Sequence, residues 1–318
     1  RAAAPGHGRR VKLLLCNRDG RPSEAWLNDL RRALPEAQVD EWQPGVPADY
    51  DAAIVWNPPQ QLFDEQPQLK AVFNLGAGVD KLMALHLPPD LQIVRLEDAG
   101  MAVQMAEYVC HALIRFYREF DWYARQQQEQ LWKPRRPWER DDFPVGIMGL
   151  GALGARVAQA VRQFDFPVLG WSRTRRDLEG VRCYAGKDEL SAFLKATRVL
   201  VCLLPLTDET RGILNREALE RVQLGGYLIN VARGALVVED DLRNLLEEGH
   251  LAGATLDVFE DEPLPPDHWL WTQPFVNVTP HISAQTVRRD AVVQVVLGVR
   301  ALMRGALPAG VVKRSHGY

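Results

Sequence analysis

The sequence predicts an α/β protein of two doubly wound parallel-sheet domains, one inserted in the other. Three observations point there. Strand-like apolar runs alternate with helical stretches from residue 11 onward, a glycine-rich turn lies near mid-chain at Gly146 to Gly154, and a last helix, from about Ala284 to Arg304, is long enough to return to the first layer. Alternation of this kind is the pattern of parallel α/β layers. At 318 residues the chain exceeds a single typical core, and 47% hydrophobic residues suffice to bury two.

The opening stretch, Arg1 to Arg10, lacks Met and any apolar signal region, and reads as a disordered, expression-derived or processed end (1–10). Residues 11–102 and 284–318 form the discontinuous first domain. Its strands are expected at Val11 to Cys16, Gln38 to Trp42, Ala52 to Trp56, Ala71 to Leu75 and Gln92 to Leu96, with a helix opened by Pro22 and Ser23 and running to Leu34. Ala106, Val109, Cys110, Leu113, Phe116, Tyr117 and Phe120 recur at three- and four-residue spacing, which predicts one long helix from about Ala102 to Tyr123, bridging the domains. The polar segment from Arg125 to Phe143 contains Pro134 and Pro137 and cannot be regular helix throughout. It reads as an exposed arm. Trp132 and Trp138 amid Arg and Pro suggest a protein interface there, packing onto the arm's own domain being the alternative.

Residues 103–283 form the inserted domain. An apolar run enters Gly146-Ile147-Met148-Gly149-Leu150-Gly151-Ala152-Leu153-Gly154 and an Ala/Arg/Val/Gln run leaves it, which is strand, turn, helix. Gly149 permits the tight turn, Gly151 removes a side chain that would block a pyrophosphate, and Gly154 lets the helix pack on the strand. The helix N-terminus offers N–H groups and positive dipole to the phosphates. Further strands at Pro167 to Trp171, 181–185, 199–204, 227–232, 253–258 and 275–279 complete a Rossmann pattern. An NAD-binding chain would place an acid roughly 20 positions beyond the glycines to hold the ribose 2′-hydroxyl. Here the chain reads Ser172-Arg173-Thr174-Arg175-Arg176. Hydroxyls and guanidiniums suit a 2′-phosphate, so NADPH/NADP is favoured over NADH; a solvated basic turn is the alternative.

Three stretches end the last strands of this domain, where doubly wound sheets bind ligands: Asn230 to Gly234, Asp257 to Pro263, and Val278 to Ala284. They carry Arg233, Glu262 and His281. Together these make a coherent set for reducing a 2-oxo acid. Arg233 would clamp the carboxylate and polarise the keto oxygen, His281 would donate the proton that a developing alkoxide needs, and Glu262 would orient the ring and favour the imidazolium. Taken singly, each has a plainer reading as a surface ion-pair partner, a solvated acid or a strand-ending residue. The loop Leu75-Gly76-Ala77-Gly78-Val79 can turn successive N–H groups toward one carboxylate, or be an ordinary glycine turn. Trp56 and Met101 could wall the same substrate region or simply pack.

A net charge of −3 with dispersed basic residues predicts no nucleic-acid partner. No apolar run approaches the roughly 18 residues of a membrane span, so a soluble, membrane-free protein is expected. The four cysteines, Cys16, Cys110, Cys183 and Cys202, lack CxxC spacing and read as small buried hydrophobes in a reducing, cytoplasmic compartment. The seven histidines show no HxxxH or HExxH spacing, no GxSxG appears, and neither a metal site nor a serine nucleophile is expected.

GLGALG (149–154), VARG (231–234), DVFEDEPLP (257–265) and TPHISA (279–284), in that order, resemble the D-2-hydroxyacid dehydrogenase family across nearly the whole chain. VFNLGAGVD (72–80), RLEDAGM (95–101), WSRTRR (171–176), ARGALVVEDDL (232–242) and EPLPP (262–266) are similar to its glyoxylate/hydroxypyruvate reductase A branch. The resemblance implies a Rossmann cofactor domain inserted in a flavodoxin-like substrate domain, and a homodimer. It also implies NADPH-dependent reduction of glyoxylate and hydroxypyruvate to glycolate and D-glycerate, with Arg233, Glu262 and His281 acting together and Asp257 near the nicotinamide amide. Further cofactor contacts are implied at Ala152, Leu153, Leu204, Pro205, Thr210, Val231 and Ala232, and substrate contacts at Trp56 and Leu75 to Gly78. A broader 2-oxo acid reductase acting on phenylpyruvate or pyruvate, and a nicotinamide-sensing regulatory protein that keeps the same three residues, stay open as alternatives.

Overall fold

A computed structural model of the chain describes residues 10–20, 22–46 and 49–317. The reading of residues 1–9 as a separate end lies outside the described residues. The chain divides into two units, one of residues up to Ala99 together with Thr286 onward, the other of Gly100–Gln285.

The first unit opens with β1 (Val11–Asn17), α1 (Glu24–Ala33), β2 (Ala37–Glu41), β3 (Ala52–Trp56), α2 (Gln60–Glu65), β4 (Ala71–Asn74), α3 (Asp80–Met83) and β5 (Gln92–Arg95). The second runs through α4 (Met101–Tyr117), α5 (Phe120–Gln128), β6 (Val145–Met148), α6 (Ala152–Arg162), β7 (Val168–Ser172), β8 (Arg182–Ala185), α7 (Gly186–Ala196) and β9 (Val199–Cys202). It continues with α8 (Arg216–Leu219), β10 (Gly226–Asn230), α9 (Glu239–Glu247), β11 (Leu251–Leu256) and β12 (Val276–Val278). Helix α10 (Arg288–Met303) then returns to the first unit.

Each unit holds one all-parallel sheet. The first has the order β2-β1-β3-β4-β5, the flavodoxin-like arrangement. The second has the order β12-β11-β10-β9-β6-β7-β8, a Rossmann order extended by one strand. Both faces of the second sheet are buried. Val145, Ile147, Val199, Val201 and Ile229 face a core shared with Val109 and Leu113 of α4 and Val157 and Val161 of α6. Met148, Leu200, Cys202 and Leu228 alternate with them and face Phe193, Leu219 and Leu245. That two-sided burial is why these strands read as unbroken apolar runs. In the first unit Leu14, Val55, Val72 and Ile93 share one core with Phe63. On α10, a Cβ at Gly298 would lie 2.6 Å from Phe73 Cε1, so glycine there lets the helix close onto β4.

Four expectations need correction. The helix expected over Ala102 to Tyr123 breaks: α4 stops at Tyr117, Glu119 turns left-handed at φ 54°, and α5 starts afresh. Phe116 stacks on Tyr227 while Tyr117 meets Phe143 and Phe166 edge-on, which fixes the helix end; Arg and Glu carry no local sign of a stop. Helix α4 lies wholly within the second unit, packed on α6, and is not a bridge. The last helix begins at Arg288 and not at Ala284, because Val287 N–H donates to the Ala99 carbonyl and Thr286 Oγ1 to the Leu75 carbonyl. Cys16, Cys110 and Cys202 are buried, whereas Cys183 is only half-buried at the end strand β8. Among the described residues no helix is long and apolar enough to cross a membrane.

Candidate active site

The sheet order of the second unit reverses between β6 and β9, which sets the glycine turn after β6 beside the segment after β9. The three glycines meet three different demands. Gly149 has φ +100°, and a Cβ there would lie 2.6 Å from the Leu203 carbonyl oxygen. A Cβ at Gly154 would overlap the Gly149 carbonyl. At Gly151 a Cβ would meet nothing within 4 Å, and the backbone (φ −75°, ψ −165°) suits any residue. Glycine at 151 therefore serves something other than the fold. Helix α6 starts there with no side chain capping it, and Ala152 is exposed and Leu153 half-buried at its first turn. These N–H groups and the dipole are available to an anion. Gly151→Ala is expected to leave the melting temperature within about 2 °C of wild type, as open surface substitutions do, while weakening NADPH binding. Gly154→Ala is expected to lower melting by several degrees. A thermal melt paired with a cofactor titration checks both.

Strand β7 ends at Ser172, whose Oγ donates to the Thr174 carbonyl at 2.8 Å, so the basic turn is preformed. Arg175 is tied down, donating to the Cys183 carbonyl and paired with Glu189, whose other oxygen accepts the Ala185 N–H. Arg173, Thr174 and Arg176 are exposed on the same turn. Beyond β9, Leu204 is buried and Thr210 Oγ1 donates to the Pro205 carbonyl at 2.7 Å, holding that loop closed. Val231 and Ala232 are buried immediately after β10.

Arg233, Glu262 and His281 follow the adjacent parallel strands β10, β11 and β12. Buried Asn230 shapes the first of these turns, donating to the Arg233 carbonyl and accepting the Ala232 N–H. A Cβ at Gly234 would overlap the backbone of Phe259 and Glu260, so glycine lets the Arg233 turn lie against the segment leading to Glu262. The guanidinium of Arg233 donates to the Ala232 carbonyl at 2.7 Å. Glu262 Oε1 accepts the Phe259 N–H at 3.1 Å and Oε2 meets His281 Nδ1 at 2.9 Å. A carboxylate at Nδ1 places a proton on that nitrogen and leaves Nε2 as the atom that can donate from the imidazolium. The His281 side chain is 43% exposed and that of Glu262 26% exposed, so the ring is open to solvent while its partner is more sheltered.

Asp257, which closes β11, is 0% exposed. Its Oδ1 accepts from Thr279 Oγ1 at 2.6 Å and Ile282 N–H at 2.8 Å, and its Oδ2 from Ser283 N–H at 2.7 Å. Its main-chain carbonyl accepts the His281 N–H at 2.9 Å. The residue thus anchors the whole His281 loop. Tyr108 of α4 hydrogen-bonds Thr279 in turn. Sequence reasoning passed over Tyr108, Thr279 and Asn230, although Thr279 and Asn230 stand inside the stretches it singled out.

In the first unit, Trp56 ends β3 and its indole lies where a Cβ of Gly76 would be. Asn74, also passed over, donates from Nδ2 to the carbonyls of Gly76 and Gly78 at 3.1 and 2.9 Å. With the Leu75 carbonyl taken by Thr286, the loop's carbonyls are turned inward. The N–H groups of Gly76, Ala77 and Gly78 make no hydrogen bond among the described residues, a set suited to a carboxylate. Met101 is buried in the first turn of α4. Burial pushes the thiol of Cys202 up to about 12 and those of Cys16 and Cys110 to about 11, which keeps them protonated and unreactive.

Residues 110–283 match the family model of the D-isomer specific 2-hydroxyacid dehydrogenase NAD binding domain. A Serratia proteamaculans protein named glyoxylate/hydroxypyruvate reductase A is 46% identical over 302 residues, covering 93% of this chain and 96% of the relative. The Yersinia enterocolitica protein of the same name is 43% identical over 304 residues, with the same coverage of 93% and 96%. A crystal structure of a D-isomer specific 2-hydroxyacid dehydrogenase from Xanthobacter autotrophicus, in complex with NADPH and MES, superposes with a TM-score of 0.91 at 39% identity, covering 96% of this chain and 99% of that one. An NADPH-dependent glyoxylate/hydroxypyruvate reductase from Sinorhizobium meliloti, in complex with NADP and sulfate, gives 0.90 at 35% identity, covering 97% and 100%. With its two parallel sheets, glycine turn and strand-end Arg, Glu and His, the chain belongs to the D-isomer specific 2-hydroxyacid dehydrogenase family.

Proposed function

We propose that the chain is an NADPH-dependent reductase of glyoxylate and hydroxypyruvate, forming glycolate and D-glycerate. The observation that carries the reading is the His281–Glu262 pair, set at the strand ends next to the Arg233 turn in a chain 46% identical to a reductase of that name. The residues present fit the dinucleotide. Position 151 is open, the α6 N-terminus carries no side-chain cap, and the turn after β7 bears guanidiniums where an NAD site would hold an acid. Gly149, Gly151, Ala152, Leu153 and Gly154 would hold the pyrophosphate, and Ser172, Arg173, Thr174 and Arg176 the 2′-phosphate. Leu204, Pro205, Thr210, Val231 and Ala232 would supply the remaining contacts, whereas Asp257, 0% exposed with both carboxylate oxygens bonded within the His281 loop, braces that loop in place of the implied contact to the nicotinamide amide. When bound, NADPH supplies the hydride.

The protein's own part is electrostatic and acid–base. Arg233 holds negative charge on the oxo acid and on the oxygen as it becomes an alkoxide. His281 delivers the proton to that oxygen from Nε2, and Glu262, on Nδ1, keeps the ring oriented and offsets the imidazolium charge. In the first unit, the N–H groups of Gly76, Ala77 and Gly78, beside the Trp56 ring, are the chemical complement of a carboxylate. Steady-state NADPH oxidation with glyoxylate, hydroxypyruvate, pyruvate and phenylpyruvate tests the assignment. The two small acids are expected to give the highest kcat/KM; preference for phenylpyruvate would replace it with a broader oxo acid reductase.

Arg173→Ala is expected to raise the KM for NADPH about 10- to 100-fold, the equivalent of a charge-assisted hydrogen bond of about 1.5–3 kcal/mol, and to change the KM for NADH little. Equal effects on both cofactors would remove the 2′-phosphate role. The arm after α5 exposes Leu131 (55%) and Trp132 (98%), large apolar surfaces that a second copy of the chain would cover, which supports reading the protein as a homodimer. Sedimentation at micromolar concentration is expected to give twice the chain mass, and a monomer mass overturns the dimer. The four free cysteines support a reducing, cytoplasmic setting.

A further inference from the structure

His281 stands at φ +55°, in the left-handed region that few non-glycine residues occupy, although histidine enters it more readily than most. A residue held there persists only where its surroundings over-determine it. Asp257 supplies most of that constraint, since its carbonyl accepts the His281 N–H and its carboxylate accepts the next two N–H groups of the loop, those of Ile282 and Ser283. The remaining donor to the carboxylate is Thr279 Oγ1.

A hydroxyl carries one proton. Thr279 gives its proton to Asp257, so it can only accept from Tyr108, and the phenol must be the donor at the head of the series. Burial pushes the Tyr108 phenol up to about 12, so it keeps that proton at neutral pH. The order is therefore one-directional, from Tyr108 on α4, through Thr279 just past β12, to Asp257 at the end of β11. Each member sits on or beside a different element of the second unit, so the series ties the His281 loop to α4 and to the end of β11.

We infer that Tyr108 and Thr279 are positioning residues for the reduction: through Asp257 they hold His281 in its left-handed conformation and so aim its imidazole while Glu262 fixes the ring's rotation. The inference rests on reading His281 as the proton donor. Loss of the series would let the loop relax toward ordinary φ values, swinging the ring away from the reacting oxygen without removing it. A misplacement of that kind lowers turnover more than it lowers binding.

The test compares Tyr108→Phe, Thr279→Val, their double variant, Thr279→Ser and, as a control, His281→Ala. Each is measured for kcat and KM with glyoxylate and for NADPH affinity by titration, and thermal melting is recorded alongside. Thr279→Val is expected to lower kcat about 10- to 100-fold with NADPH affinity within about threefold of wild type, and Thr279→Ser, which keeps the oxygen, to recover to within about threefold. Tyr108→Phe is expected to cost about three- to tenfold alone and almost nothing in the Thr279→Val background, because the two act in one series. A purely structural role would move the melting temperature and leave kcat of the folded fraction intact.

If both single variants turn over normally while His281→Ala does not, the positioning series is wrong and the proton-donor reading stands. Independent, fully additive losses from Tyr108→Phe and Thr279→Val would also overturn the series. If His281→Ala itself turns over normally, the underlying reading has failed. Should Thr279→Val not fold, Tyr108→Phe and Thr279→Ser decide: the series predicts a kcat loss in the first and retention in the second, and the reverse contradicts it.

Discussion

Replacing His281 with Ala is expected to depress kcat for glyoxylate reduction by about 10² or more while NADPH still binds, the usual scale for loss of a general acid. The ring nitrogen nearest Glu262 is committed to the carboxylate at 2.9 Å, so Nε2 is the site from which a proton can leave. With the imidazole gone, water must protonate the alkoxide, and nothing in the glycine turn or the basic turn after β7 is disturbed. Cofactor affinity is accordingly the internal control. On the proposed reading Glu262 holds the ring, so its removal is expected to act through His281 and to cost less than loss of the ring itself.

Arg233→Ala is expected to act on binding and on turnover together, lowering kcat/KM for the oxo acid by about 10²–10³, because a guanidinium that holds the ground-state carboxylate also stabilises the developing oxyanion. This combined loss separates it from the histidine variant, whose KM is expected to change little. Initial-rate measurements over a range of glyoxylate at saturating NADPH resolve the two. An Arg233→Ala enzyme with wild-type KM would show that the carboxylate is held elsewhere, the Gly76 to Gly78 N–H groups being the other suitable set.

Much of this was legible in the chain because parallel strands buried on both faces leave unbroken apolar runs. Ala52 to Trp56 was placed to the residue, and most other strand ends moved by one or two positions. The glycine turn was legible because each glycine meets a different steric demand, at Gly149 a positive φ and at Gly154 a close backbone approach. The break after Tyr117 was not. It is fixed by Phe116 and Tyr117 meeting Tyr227, Phe143 and Phe166 from elsewhere in the chain, and periodicity records a helix face without recording what ends it. The series from Tyr108 to Asp257 was invisible for the same reason. Its members are 171 and 22 residues apart, and no spacing rule connects a tyrosine on a helix to a threonine that follows a strand. Asn74 and Asn230 hold turns by bonding neighbouring carbonyls, a role that depends on local backbone shape.

On the proposed reading, this chain reduces a small 2-oxo acid with NADPH at the Arg233, Glu262 and His281 site. Chiral analysis of the glycerate formed from hydroxypyruvate, with NADPH consumption followed in the same reaction, tests it most directly. One D-glycerate for each NADPH oxidised, formed more slowly by about 10²-fold or more in His281→Ala, is the predicted result. L-glycerate, or NADPH binding without any product from hydroxypyruvate or glyoxylate, would contradict it.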